Sequence, residues 1–127
     1  MKIDTFLTLY RTKRTDEARE AFLRERVKGG YIPIAKKREY AEEIVAASFL
    51  PDGGVDSFGR YIATNLTMVK AFTDLEVPSE GSEEIFDKLN EVGVFYLLAQ
   101  EVDQREFGEF NLIVDMITKD TLRNMEK

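Results

Sequence analysis

The sequence predicts an all-α protein: a compact single domain built as a bundle of about five to six helices with short loops. Apolar residues recur at steps of three and four along most of the chain, which is the spacing that places side chains on one face of a helix. Glycine and proline cluster between these segments, as is typical of loops. The 127 residues are 43% hydrophobic and 11% aromatic, which is sufficient to bury a core without metals or disulfides.

Two helices are predicted in the first thirty residues. The apolar spacing of residues 3–10 predicts the first of them. Thr15 or Asp16 is placed to cap the second helix, which runs to about Val27. The pair Gly29-Gly30 ends it, because glycine accepts the left-handed conformation that a helix end requires.

The middle of the chain predicts two longer helices. Pro33 suits the first turn of a helix and disfavours helical geometry in the residue before it, so we expect a helix to begin there. The Pro-Asp-Gly-Gly run at residues 51–54 is the clearest loop signal. Asp56 or Ser57 then caps a long helix that runs to about Leu75.

The C-terminal part predicts further helical segments. Ser82 caps one segment, and Gly93 marks either a kink or a stop. Residues 94–102 are the most apolar stretch and predict a buried helix. Asp103 opens the last helix, where Asp103 and Glu106 have the spacing of a capping box.

Charge is distributed unevenly along the chain, whose net charge is −6. Residues 1–38 carry eleven Lys or Arg against five Asp or Glu, whereas the remaining residues carry seven against nineteen. Either the basic end meets an acidic partner, which includes another copy of the chain, or the two parts lie side by side and cancel within one fold. We divide the single domain, residues 1–127, into a basic N-terminal helical region at 1–30 and a main bundle at 31–127.

The residue types argue against catalysis. The chain has no cysteine and no histidine, so it lacks thiolate chemistry, the commonest general base and the commonest metal ligand. Residues 52–56 lack the ligand pattern of a calcium loop. Glu106 and Glu109 are three apart and could form an acid–base pair, but no surrounding pocket is indicated, so we interpret them as a solvent-exposed flank. We expect no enzyme activity, no cofactor and no metal.

Basic residues suggest a possible nucleic-acid surface, with Tyr10 and Tyr31 as stacking platforms. The residues concerned are Arg11, Lys13, Arg14, Arg24, Arg26, Lys28, Lys36, Lys37 and Arg38. The acidic remainder of the chain would repel phosphate, which makes nucleic-acid binding the less favoured interpretation. No apolar run approaches the roughly 20 residues that a membrane span needs, and we expect no membrane association.

Two motifs carry a resemblance to a known family. The run 31–37, Tyr-Ile-Pro-Ile-Ala-Lys-Lys, leads into a helix, and Arg-Glu-Phe-Gly-Glu-Phe at 105–110 is followed by Ile-Val-Asp-Met at 113–116. In these motifs the chain resembles a family of small acidic, all-helical proteins encoded by tailed bacteriophages and prophages of Gram-positive bacteria. Similar sequences tend to have a proline just before the last helix, where this chain has Asp103.

The resemblance implies a phage or prophage origin and a role in protein association during head or tail assembly. The expected location is the cytoplasm of the bacterial host or the virion itself. Combining this with the charge pattern, we expect a protein partner or a second copy to contact basic and aromatic positions: Tyr10, Arg11, Lys13, Arg14, Tyr31, Lys36, Lys37, Arg38 and Phe49. The alternative function is a phage-encoded inhibitor of a host enzyme or defence complex, similar to an anti-CRISPR protein, whose acidic surface mimics nucleic acid.

Overall fold

The computed structural model describes residues 1–125, in which the chain forms α-helices and no strand. The helices are α1 (Ile3–Thr12), α2 (Asp16–Arg26), α3 (Ile34–Ala46), α4 (Ser57–Phe72), α5 (Ser82–Glu91), α6 (Val94–Glu101) and α7 (Gln104–Met125). The predicted all-α class is therefore confirmed. None of the helices in this described part is both long and apolar enough to cross a membrane.

The predicted count of five to six helices is corrected to seven within residues 1–125. Gly93 accounts for one of the separations, because its φ of +83° lies in the left-handed region and divides α5 from α6. Glycine adopts this conformation without the steric penalty that a Cβ introduces. The predicted separation of the first two helices is confirmed: the extended backbone of Lys13 ends α1, and Thr15 caps α2 by accepting a 3.1 Å hydrogen bond from the Ala18 amide.

The contacts group the chain into two compact units. Unit 1 consists of Met1–Gly29 and Met68–Val102, and unit 2 consists of Gly30–Thr67 and Asp103–Lys127. The helix α4 contributes to both units, because the boundary at residues 67–68 falls inside it. The division into a basic region at 1–30 and a main bundle at 31–127 stays a prediction.

Unit 1 is built on the packing of α1 against α2 and of α6 against both α2 and α5. Phe6 and Phe22 stack with ring centroids 5.6 Å apart in its core. Arg24 Nε lies 3.0 Å from Glu101 Oε1, and Arg26 Nη1 lies 3.1 Å from the Asp74 carboxylate. Within this unit, basic residues from the start of the chain therefore lie beside acidic residues from its later part, as the second interpretation of the charge pattern requires.

Unit 2 is built on the packing of α3 against α7. Phe110 of α7 is fully buried, and its ring stacks on that of Tyr40 of α3 with centroids 6.4 Å apart. The first half of α4 joins this core, where Arg60 Nη1 donates a 3.4 Å hydrogen bond to Thr118 Oγ1. The first turns of α7 lie against the first turns of α3.

The two glycines Gly93 and Gly108 provide a matched test of the helix boundaries. Replacing Gly93 with alanine would place a Cβ at a φ of +83°, and we expect the unfolding free energy to fall by about 1–2 kcal/mol. Gly108 lies within α7 at an ordinary φ with open space around it, so Gly108→Ala should raise the unfolding free energy by up to about 1 kcal/mol. Urea denaturation measures both, and equal effects would contradict this assignment of the boundary.

Candidate protein-binding surface

Lys37, which the sequence places in an exposed basic triplet, is buried in unit 2. Its side chain is 1% exposed, and Nζ donates a 2.6 Å hydrogen bond to Glu109 Oε1. Glu106 Oε2 lies 2.7 Å from the same nitrogen as an ion pair that lacks hydrogen-bond geometry. The Tyr31 ring lies over Nζ with its centroid 4.6 Å away. The prediction that Lys37 lies on an exposed surface is therefore corrected.

The helical register of α3 explains this burial. Lys37 shares a face with Ala41 and Ile44, both of which have no exposed surface. This face packs on the first turns of α7, so the lysine methylenes join the core and the ammonium reaches the carboxylates of Glu106 and Glu109. The sequence contains a signal for this cluster. Lys37 lies on the apolar stripe of its helix, and Glu106 and Glu109 lie three residues apart further along the chain.

The interpretation of the two glutamates as a solvent-exposed flank is therefore corrected for Glu106, whereas Glu109 is exposed. The side chain of Glu106 is 14% exposed and that of Glu109 is 47% exposed. The predicted capping box forms on one side only: Asp103 Oδ1 accepts a 2.8 Å hydrogen bond from the Arg105 amide, while the Glu106 side chain contacts Lys37. The hydrogen bonds and charge of Arg105 lower the pKa of Asp103, so this cap remains ionised.

The Lys37 cluster stabilises the protonated lysine. Burial acts to lower the pKa of Lys37, but the carboxylates of Glu106 and Glu109 beside its ammonium act in the opposite direction, and the pKa lies above its ordinary value. A lysine acts as a nucleophile or base only after losing its proton. The arrangement therefore joins α3 to α7 and is unsuited to lysine-based catalysis at neutral pH.

The other members of the basic triplet remain on the surface. Lys36 Nζ lies 3.1 Å from Glu39 Oε2, and Arg38 Nε lies 2.9 Å from Glu42 Oε1, both pairs within α3. Such exposed pairs contribute little to stability and break easily, so both cations can reach a partner. Of these three predicted contact positions, Lys36 and Arg38 are exposed and Lys37 is buried.

The nine predicted contact positions are divided between the two units. Tyr10, Arg11, Lys13 and Arg14 belong to unit 1, and Tyr31, Lys36, Lys37, Arg38 and Phe49 belong to unit 2. Arg11, Arg14, Tyr31, Lys36 and Arg38 are exposed, whereas Tyr10, Lys13 and Phe49 are half-buried. The role of these residues in partner binding stays a prediction.

Exposed apolar side chains mark a surface that the sequence analysis missed. Among the large hydrophobic residues exposed within residues 1–125, unit 1 carries Leu9 and Tyr96. Unit 2 carries the remainder: Tyr31, Ile34, Leu50, Val55, Phe58, Tyr61, Leu112, Met116, Leu122 and Met125. Periodicity identifies such residues as apolar but does not tell which of them the core leaves uncovered.

A hairpin loop holds part of this surface in place. The Leu50 amide donates a 2.7 Å hydrogen bond to the Gly54 carbonyl, and the Asp56 amide donates a 2.8 Å hydrogen bond to the Ser48 carbonyl. Gly53 allows the tight turn with a φ of +90°. Leu50 and Val55 are left exposed on this hairpin.

Two helix ends extend the hairpin surface. Phe58 follows in the first turn of α4, which Asp56 caps through a 2.8 Å hydrogen bond from the Gly59 amide. Met125, at the end of α7, has its methyl carbon 3.1 Å from where a Cβ at Gly53 would lie. We call Leu50, Val55, Phe58 and Met125 the apolar patch of unit 2.

Comparison of the chain with known protein families, with characterised proteins and with solved structures finds no match. The resemblance to small phage proteins therefore stays a prediction.

Replacing Lys37 with methionine tests the buried cluster. The change would leave the carboxylates of Glu106 and Glu109 facing each other without a cation, and we expect the unfolding free energy to fall by about 2–3 kcal/mol. This expected loss of unfolding free energy is smaller than that for a fully buried ion pair, because solvent reaches Glu109 and screens the charges. The control Lys36→Met alters a neighbouring exposed cation and should leave urea denaturation unchanged. Equal effects of the two variants would contradict the cluster.

Alkaline titration tests the raised pKa of Lys37. Because that pKa is higher in the folded state than in the unfolded state, the stabilisation is fully present below the ordinary lysine value and is lost as pH rises through the raised value. We therefore expect the unfolding free energy of the wild type to fall more steeply above about pH 10 than that of Lys37→Met. Parallel pH profiles of the two proteins would be the contrary result.

Proposed function

We propose that this chain is a non-enzymatic bacteriophage protein that acts through protein–protein association. Its role is that of a virion assembly factor in head or tail formation, such as a tail assembly chaperone or a minor structural component. The observation that carries the association is the concentration of exposed large apolar side chains in unit 2, with the apolar patch as its best-defined part. The phage origin and the assembly role rest on the resemblance of the two sequence motifs.

The apolar patch has the composition of a binding surface. Single exposed apolar residues are normal on any protein, but a cluster held on a defined backbone marks an interaction site. Val55 and Phe58 are 65% and 61% exposed, so covering them would remove a large apolar area from water. The aromatic ring of Phe58 and the flexible thioether of Met125 are suited to contacts with a complementary partner.

A second candidate function follows from α5. Glu83, Asp87 and Glu91 are exposed at steps of four residues, which places three carboxylates along one face of this helix. A line of carboxylates on a rigid helix favours the interpretation as an inhibitor that mimics nucleic acid. Competition of the purified chain with labelled DNA for a host nucleic-acid-binding protein would support this function, and the lack of competition in low salt would count against it.

The association is tested by weakening the apolar patch. An affinity-tagged chain that carries Val55→Ser and Phe58→Ser should capture at least about tenfold less of the phage head or tail proteins from infected cells than the wild type does, because a central apolar anchor is removed. Quantitative mass spectrometry of the captured proteins provides the measurement.

The matched control is Tyr96→Ser, which removes a 72% exposed aromatic ring from unit 1. This variant should capture the same phage proteins at the wild-type level. Equal capture by all three proteins would exclude the patch as the binding surface. Capture of host enzymes without virion proteins would favour the inhibitor.

A further inference from the structure

Two cavities in unit 1 are lined by residues of both α1 and α5. One, of about 480 Å³, includes Ile3, Asp4 and Ile85 in its lining. The other, of about 290 Å³, includes Leu7 and Val92. Lys88 of α5 lines both cavities, and its Nζ lies 3.8 Å from Asp4 Oδ1 on the opposite helix. We call this surface the α1–α5 groove.

One end of the α1–α5 groove is acidic. Its cavity is lined by Asp4, Glu76, Glu80 and Glu84, against Lys2 and Lys88. Lys88 is already engaged by Asp4 and by Glu84, whose carboxylate lies 3.4 Å from Nζ. Glu80 is exposed at this end, so its carboxylate can meet a cation from outside.

The other end of the groove is basic. Arg11 and Arg19 line its cavity together with Lys88 and one carboxylate, that of Glu91. Arg19 is held in place because its Nε donates a 3.1 Å hydrogen bond to the Lys13 carbonyl and its guanidinium lies 5.5 Å from the centre of the Tyr10 ring. Arg11 is exposed at the end of α1.

We propose that the α1–α5 groove is the docking surface for a second copy of this chain, related to the first by a two-fold axis. The two grooves face each other in antiparallel orientation, so that Arg11 of each copy meets Glu80 of the other. A two-fold interface requires a surface that is complementary to itself. A groove with one acidic and one basic end meets this requirement, because rotation by half a turn brings opposite charges together.

The chemistry of the groove favours a second copy over an unrelated ligand. The cavity linings include the apolar residues Ile3, Leu7 and Ile85 beside the charged ones, and the methylene stem of an incoming arginine suits such a mixed lining. The two Lys88 side chains approach the axis, but each is neutralised by the carboxylates of its own copy. This association does not depend on the proposed phage function, since it requires only the purified chain.

Charge reversal tests the dimer by sedimentation velocity of the purified full chain. The wild type should form a dimer at low salt that dissociates as salt is raised. Arg11→Glu and Glu80→Lys should each weaken dimerisation at least about tenfold, because each places like charges together at two symmetric contacts. An equimolar mixture of these two variants should regain the dimer, as should the double variant R11E/E80K.

The control is Arg38→Glu, which makes the same change of charge at an exposed position of unit 2 and should leave the dimer unaffected. Circular dichroism should show that all variants keep their helices. A wild type that is monomeric at low salt and high concentration would overturn the proposal. A dimer that both single variants retain, or that the mixture fails to restore, would overturn it as well.

Discussion

The fold of unit 2 depends on one buried interaction, the ion cluster of Lys37, Glu106 and Glu109. It joins the first turns of α3 to the first turns of α7, the two helices whose packing forms the core of the unit. Removing Lys37 would leave two carboxylates side by side without a cation, and removing both glutamates would leave the buried ammonium without a counterion. The cluster thereby favours one alignment of the two helices, whereas apolar residues alone tolerate several.

The same cluster shows that the charges counted along the sequence do not all lie on the surface of the protein. Lys37 counts toward the basic end of the chain, yet its charge is neutralised inside unit 2. Arg26, whose side chain is largely buried, is neutralised in a similar way by Asp74 in unit 1. Part of the basic excess of residues 1–38 is thus neutralised by ion pairs within each unit. Exposed cations such as Arg11 and Lys36 are what remains for a partner.

Much of the helical framework could be predicted from the sequence, because the signals are local. Gly93 and Gly53 act through their own backbone at a positive φ, and the Thr15 side chain caps an amide only three residues away. The burial of Lys37 could not be predicted with the same rules, since it depends on residues about 70 positions away. The apolar stripe of α3 does not by itself explain why it contains Lys37. The counterions of this lysine, Glu106 and Glu109, lie on the facing helix α7.

The candidate surfaces were harder to predict than the helices for a related reason. Val55 and Phe58 have the same composition and spacing whether a core covers them or solvent does. Val55 is exposed on the hairpin closed by the Leu50–Gly54 and Ser48–Asp56 hydrogen bonds, and Phe58 is exposed in the first turn of the helix that follows. Local turn chemistry at Gly53 can be recognised in the sequence, but its consequence for exposure is a tertiary property.

The two proposed surfaces differ in the physical force that would drive binding. The apolar patch gains free energy by excluding water, a force that salt does not screen and that suits a lasting assembly contact. The α1–α5 groove relies on opposite charges at the ends of a shallow surface, which orient a partner and respond to ionic strength. An apolar contact in unit 2 and a charged contact in unit 1 can therefore be made and broken under different conditions.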